Sequence, residues 1–88
     1  MKINDGMVLT QLGDGYVAVS SGEMTGFRGI VKLNKTGADI WRFIDEGLDE
    51  SEIAQRLVDK YDNVDYELAL QNTRYIIDVL EQKGIITE

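Results

Sequence analysis

The sequence predicts an α+β fold of winged-helix-like order, a three-stranded antiparallel sheet followed by three helices. Three observations predict it. Apolar residues alternate with a period of two in Phe27–Leu33, and after Leu33 they recur every three to four residues. Turn and cap residues punctuate both halves at short intervals. No proline, low-complexity tract or internal repeat interrupts the 88 residues, so residues 1–88 are read as one domain.

The first strand is Met7 to Leu12. Gly13-Asp14-Gly15 follows and supplies the positive φ that a tight turn requires. Tyr16 to Ser20, rich in β-forming residues, is the second strand of the hairpin. Ser21 to Gly26 is a polar connection. Its glycines, with Gly29, lack the Lys-Ser/Thr and the following helix of a phosphate-binding loop, so they are read as loop residues. Phe27 to Leu33 is the third strand. Phe27, Gly29, Val31 and Leu33 fall on one side, and Arg28, Ile30 and Lys32 on the other.

Asn34, with Thr36 as the alternative, caps the first helix. Ile40, Trp41, Ile44 and Leu48 form its apolar face, with Phe43 outside that row. Gly37 in its first turn costs about 1 kcal/mol against Ala, which is explained if the helix start approaches the sheet closely. Gly47 stops the helix. Asp49 and Glu52 have the spacing of a capping box for the second helix, whose apolar face is Ile53, Ala54, Leu57, Val58 and Tyr61. Asp62-Asn63 ends it, and Asp65 caps the third helix, about Tyr66 to Lys83. Ala69, Thr73, Ile76, Ile77 and Leu80 share one face of that helix. Leu68, Asn72, Tyr75 and Val79 form a second row. Either a broad core wraps both rows, or the second row lines a groove. Gly84 ends the helix, and Ile85-Ile86 is expected to fold back onto the core.

Composition excludes several function classes. The chain has no Cys and no His, so it lacks thiol nucleophiles, zinc-finger spacing and the commonest general base and metal ligand. Asp45, Glu46, Asp49 and Glu50 straddle a helix stop and a helix cap, where carboxylates are expected for helix-end reasons. The reading is therefore a protein without catalytic residues, cofactor or metal. The net charge of −7 disfavours nucleic acid. The third helix, with Asp65, Glu67, Asp78 and Glu81 against Arg74 and Lys83, would be repelled by a major groove. No apolar run approaches the roughly 20 residues of a membrane span, and the N-terminus lacks signal-peptide regions. No membrane association and a cytoplasmic location are expected.

Val31-Lys32-Leu33-Asn34-Lys35-Thr36-Gly37-Ala38-Asp39-Ile40-Trp41 resembles a signature of the PqqD family. Gly47-Leu48-Asp49-Glu50-Ser51-Glu52-Ile53-Ala54, then Leu57, Tyr61, Ile77, Leu80 and Gly84-Ile85-Ile86, are similar to its later motifs in order and spacing. The resemblance covers about residues 5 to 88, and the chain departs from the pattern at the Ser21–Phe27 connection. It implies a RiPP recognition element, a non-catalytic peptide chaperone of natural product biosynthesis. Such a domain binds the leader segment of a ribosomally synthesised precursor peptide and presents it to a modifying enzyme, such as a radical SAM protein, a cyclase or a leader peptidase. It further implies that the leader adds as a strand to the third strand and packs against the third helix. The peptide-binding residues would be Phe27, Arg28, Gly29, Ile30, Val31, Lys32, Leu33 and Lys35 on the strand side. Leu68, Asn72, Tyr75 and Val79 would bind from the helix. A free strand edge offers unpaired N–H and C=O groups suited to this. Arg28, Lys32 and Lys35 would meet acidic leader residues, although a solvated strand face accounts for the same charges. The alternatives are a winged-helix-type transcriptional regulator and another kind of protein-interaction module.

Overall fold

The computed structural model describes residues 1–20 and 30–87. Three strands, β2 (Met7–Leu12), β3 (Gly15–Ser20) and β4 (Val31–Leu33), form an antiparallel sheet in that spatial order. Three helices follow, α1 (Lys35–Asp45), α2 (Glu50–Lys60) and α3 (Tyr66–Gln82). This is the expected α+β order. Two short strands that the sequence pattern did not reveal, β1 (Lys2–Ile3) and β5 (Ile86–Thr87), pair with each other and bring the two ends of the chain together. Ile3, Ile85 and Ile86 are buried there. A two-residue strand is too short to display a period, which is why it leaves no sequence signal.

The hairpin closes at the pair Leu12↔Gly15. Gly13, at φ +64°, takes the glycine position of a type II′ turn, whose twist matches that of the flanking strands. The third strand is shorter than the expected Phe27 to Leu33. Ile30 precedes β4, and Phe27, Arg28, Gly29 and the Ser21–Gly26 connection lie outside the described residues.

Each helix starts on a side-chain cap. The Asn34 carboxamide oxygen accepts from the Gly37 N–H at 2.8 Å, which decides between Asn34 and Thr36. Asp49 and Glu52 form the reciprocal capping box, and Asp65 accepts from the Leu68 N–H at 2.8 Å. Gly47 leaves α1 at φ +93°, and Asn63 breaks the chain between α2 and α3 at φ +64°.

The core lies between the inner face of the sheet and the three helices. Ala18, Val31 and Leu33 face Ile40, Trp41 and Ile44 of α1, with Ile53 and Leu57 of α2 and Ile77 and Leu80 of α3 completing it. Thr73 is polar yet fully buried, because its hydroxyl donates to the Ala69 carbonyl at 2.8 Å within the helix. Gly37 sits where a Cβ would come within 3.2–3.3 Å of the Leu33 and Asn34 side chains. The close approach of α1 to the sheet is thus the reason a glycine occupies a helical turn.

Candidate functional site

Backbone geometry determines what β4 offers. The pair closing a two-residue hairpin, Leu12↔Gly15, is a hydrogen-bonded pair, and bonding alternates along an antiparallel ladder. Gly15, Val17 and Val19 therefore bond to β2, and Tyr16 and Ala18 bond to β4. Their partners are Leu33 and Val31. The N–H and C=O of Lys32 consequently point away from the sheet, toward a side on which no strand pairs among the described residues. The side chains follow the opposite logic. Val31 and Leu33 are buried in the core, so neither side chain can meet a partner, while Lys32 is exposed. Ile30, next along the chain, is 53% exposed.

α3 packs on α2, α1 and β5. Its second row stays largely outside the core. Leu68 is 45% and Tyr75 68% exposed, Asn72 is exposed and Val79 is half-buried. Between this row and the start of α1 lies an open groove of about 260 Å³ lined by Asn34, Thr36, Gly37, Ile40, Asn72, Tyr75 and Ile76. Of the twelve residues expected to bind a peptide, Asn72 and Tyr75 line this groove, and Leu68 and Val79 belong to the same helical row outside its lining. The opposite wall, the first turn of α1, was not foreseen, although Gly37 pointed to close packing there.

Lys35 is exposed at the start of α1. Its ammonium lies 5.8 Å from the centre of the Tyr61 ring. There it borders a buried polar cluster that joins α1 to the end of α2. The Asp39 carboxylate, 3% exposed, accepts from Lys60 Nζ at 2.9 Å and from the Tyr61 hydroxyl, with Arg42 4.0 Å away. Arg42 in turn lies over the Tyr16 ring at 5.2 Å. Burial pushes the Tyr61 hydroxyl up to about 12, helped by its hydrogen bond to Asp39 and by that carboxylate's charge, while a hydrogen bond with Thr36 acts in the opposite direction. Thr36 lines the groove, so this cluster backs the groove's α1 wall. A buried carboxylate without these partners would be strongly destabilising, which makes the arrangement a rigid support.

A model of the family "Coenzyme PQQ synthesis protein D (PqqD)" matches residues 8–86. The chain belongs to the PqqD family. No curated protein matches it. Among solved structures, this PqqD-family chain is similar to TbiB1 in complex with the TbiA(beta) leader peptide, at 27% identity and a TM-score of 0.77, with 97% of this chain and 93% of that one covered. It is also similar to lasso peptide synthetase B1 complexed with the leader peptide, at 20% identity and a TM-score of 0.78, with 99% and 96% covered. The second likeness is one of fold. Among the described residues, the PqqD fold here has no helix long and apolar enough to cross a membrane. Nor do they contain a group of three or more acidic, His or Cys residues able to hold a metal.

Proposed function

We propose that this PqqD-family protein binds the leader segment of a ribosomally synthesised precursor peptide by strand addition at β4 and presents it to a modifying enzyme. The observation that carries this reading is a β4 edge with no strand paired on it among the described residues, followed directly in the chain by the first turn of α1. That turn forms a groove with Asn72 and Tyr75 of α3. An extended peptide pairs its backbone with the outward N–H and C=O of Lys32. It then lays side chains toward Asn72 and Tyr75 and into the groove they form with the first turn of α1. Backbone pairing gives affinity and register, and the groove gives selectivity. Val31 and Leu33 bond to β3 and bury their side chains, so they contribute by holding the edge in place. Lys32 has no carboxylate partner among the described residues and is free to meet an acidic leader residue. The chain itself supplies no His or Cys for chemistry, so the reading is a non-catalytic, cytoplasmic peptide chaperone. The modifying enzyme, a radical SAM protein, cyclase or leader peptidase, is its second partner.

Burying peptide side chains in such a groove contributes about 25 cal/mol per Å², and ordering a flexible peptide offsets much of it. Micromolar to sub-micromolar affinity is expected, roughly −8 to −9 kcal/mol. Titrating the isotope-labelled protein with its cognate leader tests the site. Amide shift changes should cluster at residues 30–35 and 68–79. Changes concentrated on α2, around Glu52 to Tyr61, would place the peptide elsewhere and refute the reading.

A further inference from the structure

Among the described residues the sheet has two unpaired edges, and the longer one belongs to β2. This strand presents six residues, twice the length of β4, and no strand pairs with its outer side among the described residues. It carries none of the devices that keep edge strands from pairing. Met7-Val8-Leu9-Thr10-Gln11-Leu12 has no charge and no proline. On its solvent face Val8 is 43% and Leu12 68% exposed, with exposed Thr10 between them.

Charge selects the occupant. Residues 1–33 contain three basic and three acidic residues, whereas residues 34–88 contain six basic and thirteen acidic ones, the whole of the net −7. Two copies of this chain repel each other through their helical halves and approach at least cost through the neutral sheet half. The ladder alternation limits how they meet, and the exposed Val8 and Leu12 choose among the allowed registers. Val8, Thr10 and Leu12 bond to β3, so Leu9 and Gln11 turn their N–H and C=O outward. Only residues of matching parity can exchange hydrogen bonds across a new antiparallel pair. If Leu9 bonds to Gln11 of a second copy, Gln11 bonds to that copy's Leu9. Thr10 then faces its own counterpart, and Val8 faces the counterpart of Leu12. In these non-bonded pairs side chains approach most closely, so the exposed apolar residues cover each other.

We propose that β2 pairs antiparallel with β2 of a second copy about a two-fold axis through Thr10. The product is a continuous six-stranded sheet with the two β4 edges at its outer ends. Such an interface is self-complementary and closed, as a symmetric dimer requires. Edge pairing buries less surface than a standard stable interface, so the dimer is weak and its population depends on concentration.

The test uses the absence of cysteine in the chain. Thr10→Cys places one thiol on the axis, where the roughly 4.5 Å Cα separation of a non-bonded pair falls within the range a disulfide spans. With oxidised glutathione as oxidant, Thr10→Cys should cross-link roughly tenfold or more faster than Glu67→Cys, an exposed control on α3, because pairing raises the effective thiol concentration. Sedimentation of the unmodified chain should show the mass rising from 9.9 kDa toward twice that with concentration. Thr10→Lys, which sets two like charges opposite each other, should return it to 9.9 kDa. Gln11→Pro removes an outward N–H without touching the hairpin bonds and should do the same while leaving circular dichroism unchanged. Equal cross-linking rates overturn the proposal, as does a dimer that both Thr10→Lys and Gln11→Pro leave intact. Leader binding enters neither readout, so this proposal and the peptide-binding reading stand or fall separately.

Discussion

α3 presents two rows of side chains with opposite fates. Ala69, Thr73, Ile77 and Leu80 are buried by α1, α2 and β5, and even the one hydroxyl among them is satisfied within the helix. Leu68 and Tyr75 are exposed, although each carries a large apolar surface. Helical periodicity thus marks surface that gains from being covered, without saying what covers it. On one side of α3 the rest of the chain does so. On the other the start of α1 stands off, and the groove between them is left for a partner.

The largest effects should separate the two rows. Leu80→Ala removes a fully buried side chain and should cost about 2–5 kcal/mol of stability, read as a fall in the urea midpoint. Trp41→Ala, on the α1 face that meets the same core, should cost about 3–5 kcal/mol. Either is a large part of the roughly 5–15 kcal/mol typical of a folded domain. If Leu80→Ala unfolds at the wild-type midpoint, the buried row is not what holds α3 in place.

The wall opposite α3 gives the next effect, because Asp39 and Tyr61 support it. Below pH 10 the Tyr61 phenol keeps its proton in both the folded and the unfolded chain, and the stabilisation is complete. As pH rises from 10 toward about 12, the unfolded chain releases the proton while the folded one retains it, so stability is lost over that window. The loss should reach on the order of 2 kcal/mol. Denaturation midpoints between pH 9 and 11.5 should show a slope that Tyr61→Phe reduces. An unchanged slope in Tyr61→Phe would mean that other groups carry it.

Tyr75→Asp addresses the exposed row. It should shift stability by no more than about 0.5 kcal/mol and weaken leader binding at least tenfold, about 1.4 kcal/mol by calorimetric titration. A loss of stability comparable to that of Leu80→Ala would erase the distinction between the rows. The smallest effect is expected at Lys32. Lys32→Glu should weaken binding by roughly 0.2–1 kcal/mol at low salt and by less at high salt. An affinity that ignores both the substitution and the salt would limit the role of Lys32 to its backbone.

What was legible in the sequence was local. The Asp49–Glu52 box, the Asn34 and Asp65 caps and the Gly13 turn each need only three or four neighbouring residues, and each lies where the pattern placed it. The alternation placed Val31 and Leu33 on one side of the strand, and their burial shows that this side is the core. What was not legible depends on distant pairs. Asp39 meets Lys60 and Tyr61 more than twenty residues away, so the chain looks there like ordinary helix surface. The α1 wall of the groove had one signal, Gly37, whose missing side chain recorded a contact without naming the cavity beside it. The approach of Lys35 to the Tyr61 ring likewise joins residues far apart in the chain.

The pairing of β1 with β5 has a consequence for how this fold can be built into larger molecules. Lys2 lies opposite Thr87 on adjacent antiparallel strands, so the chain enters and leaves the fold at one place. A fold with neighbouring ends can be spliced into a surface loop of another protein without stretching that loop, and its own ends can be joined by a short bridge and reopened elsewhere. Because α1 packs on β1 and α3 on β5, an enzyme hosting such an insertion would acquire the groove ready-made, with both of its walls anchored at the graft.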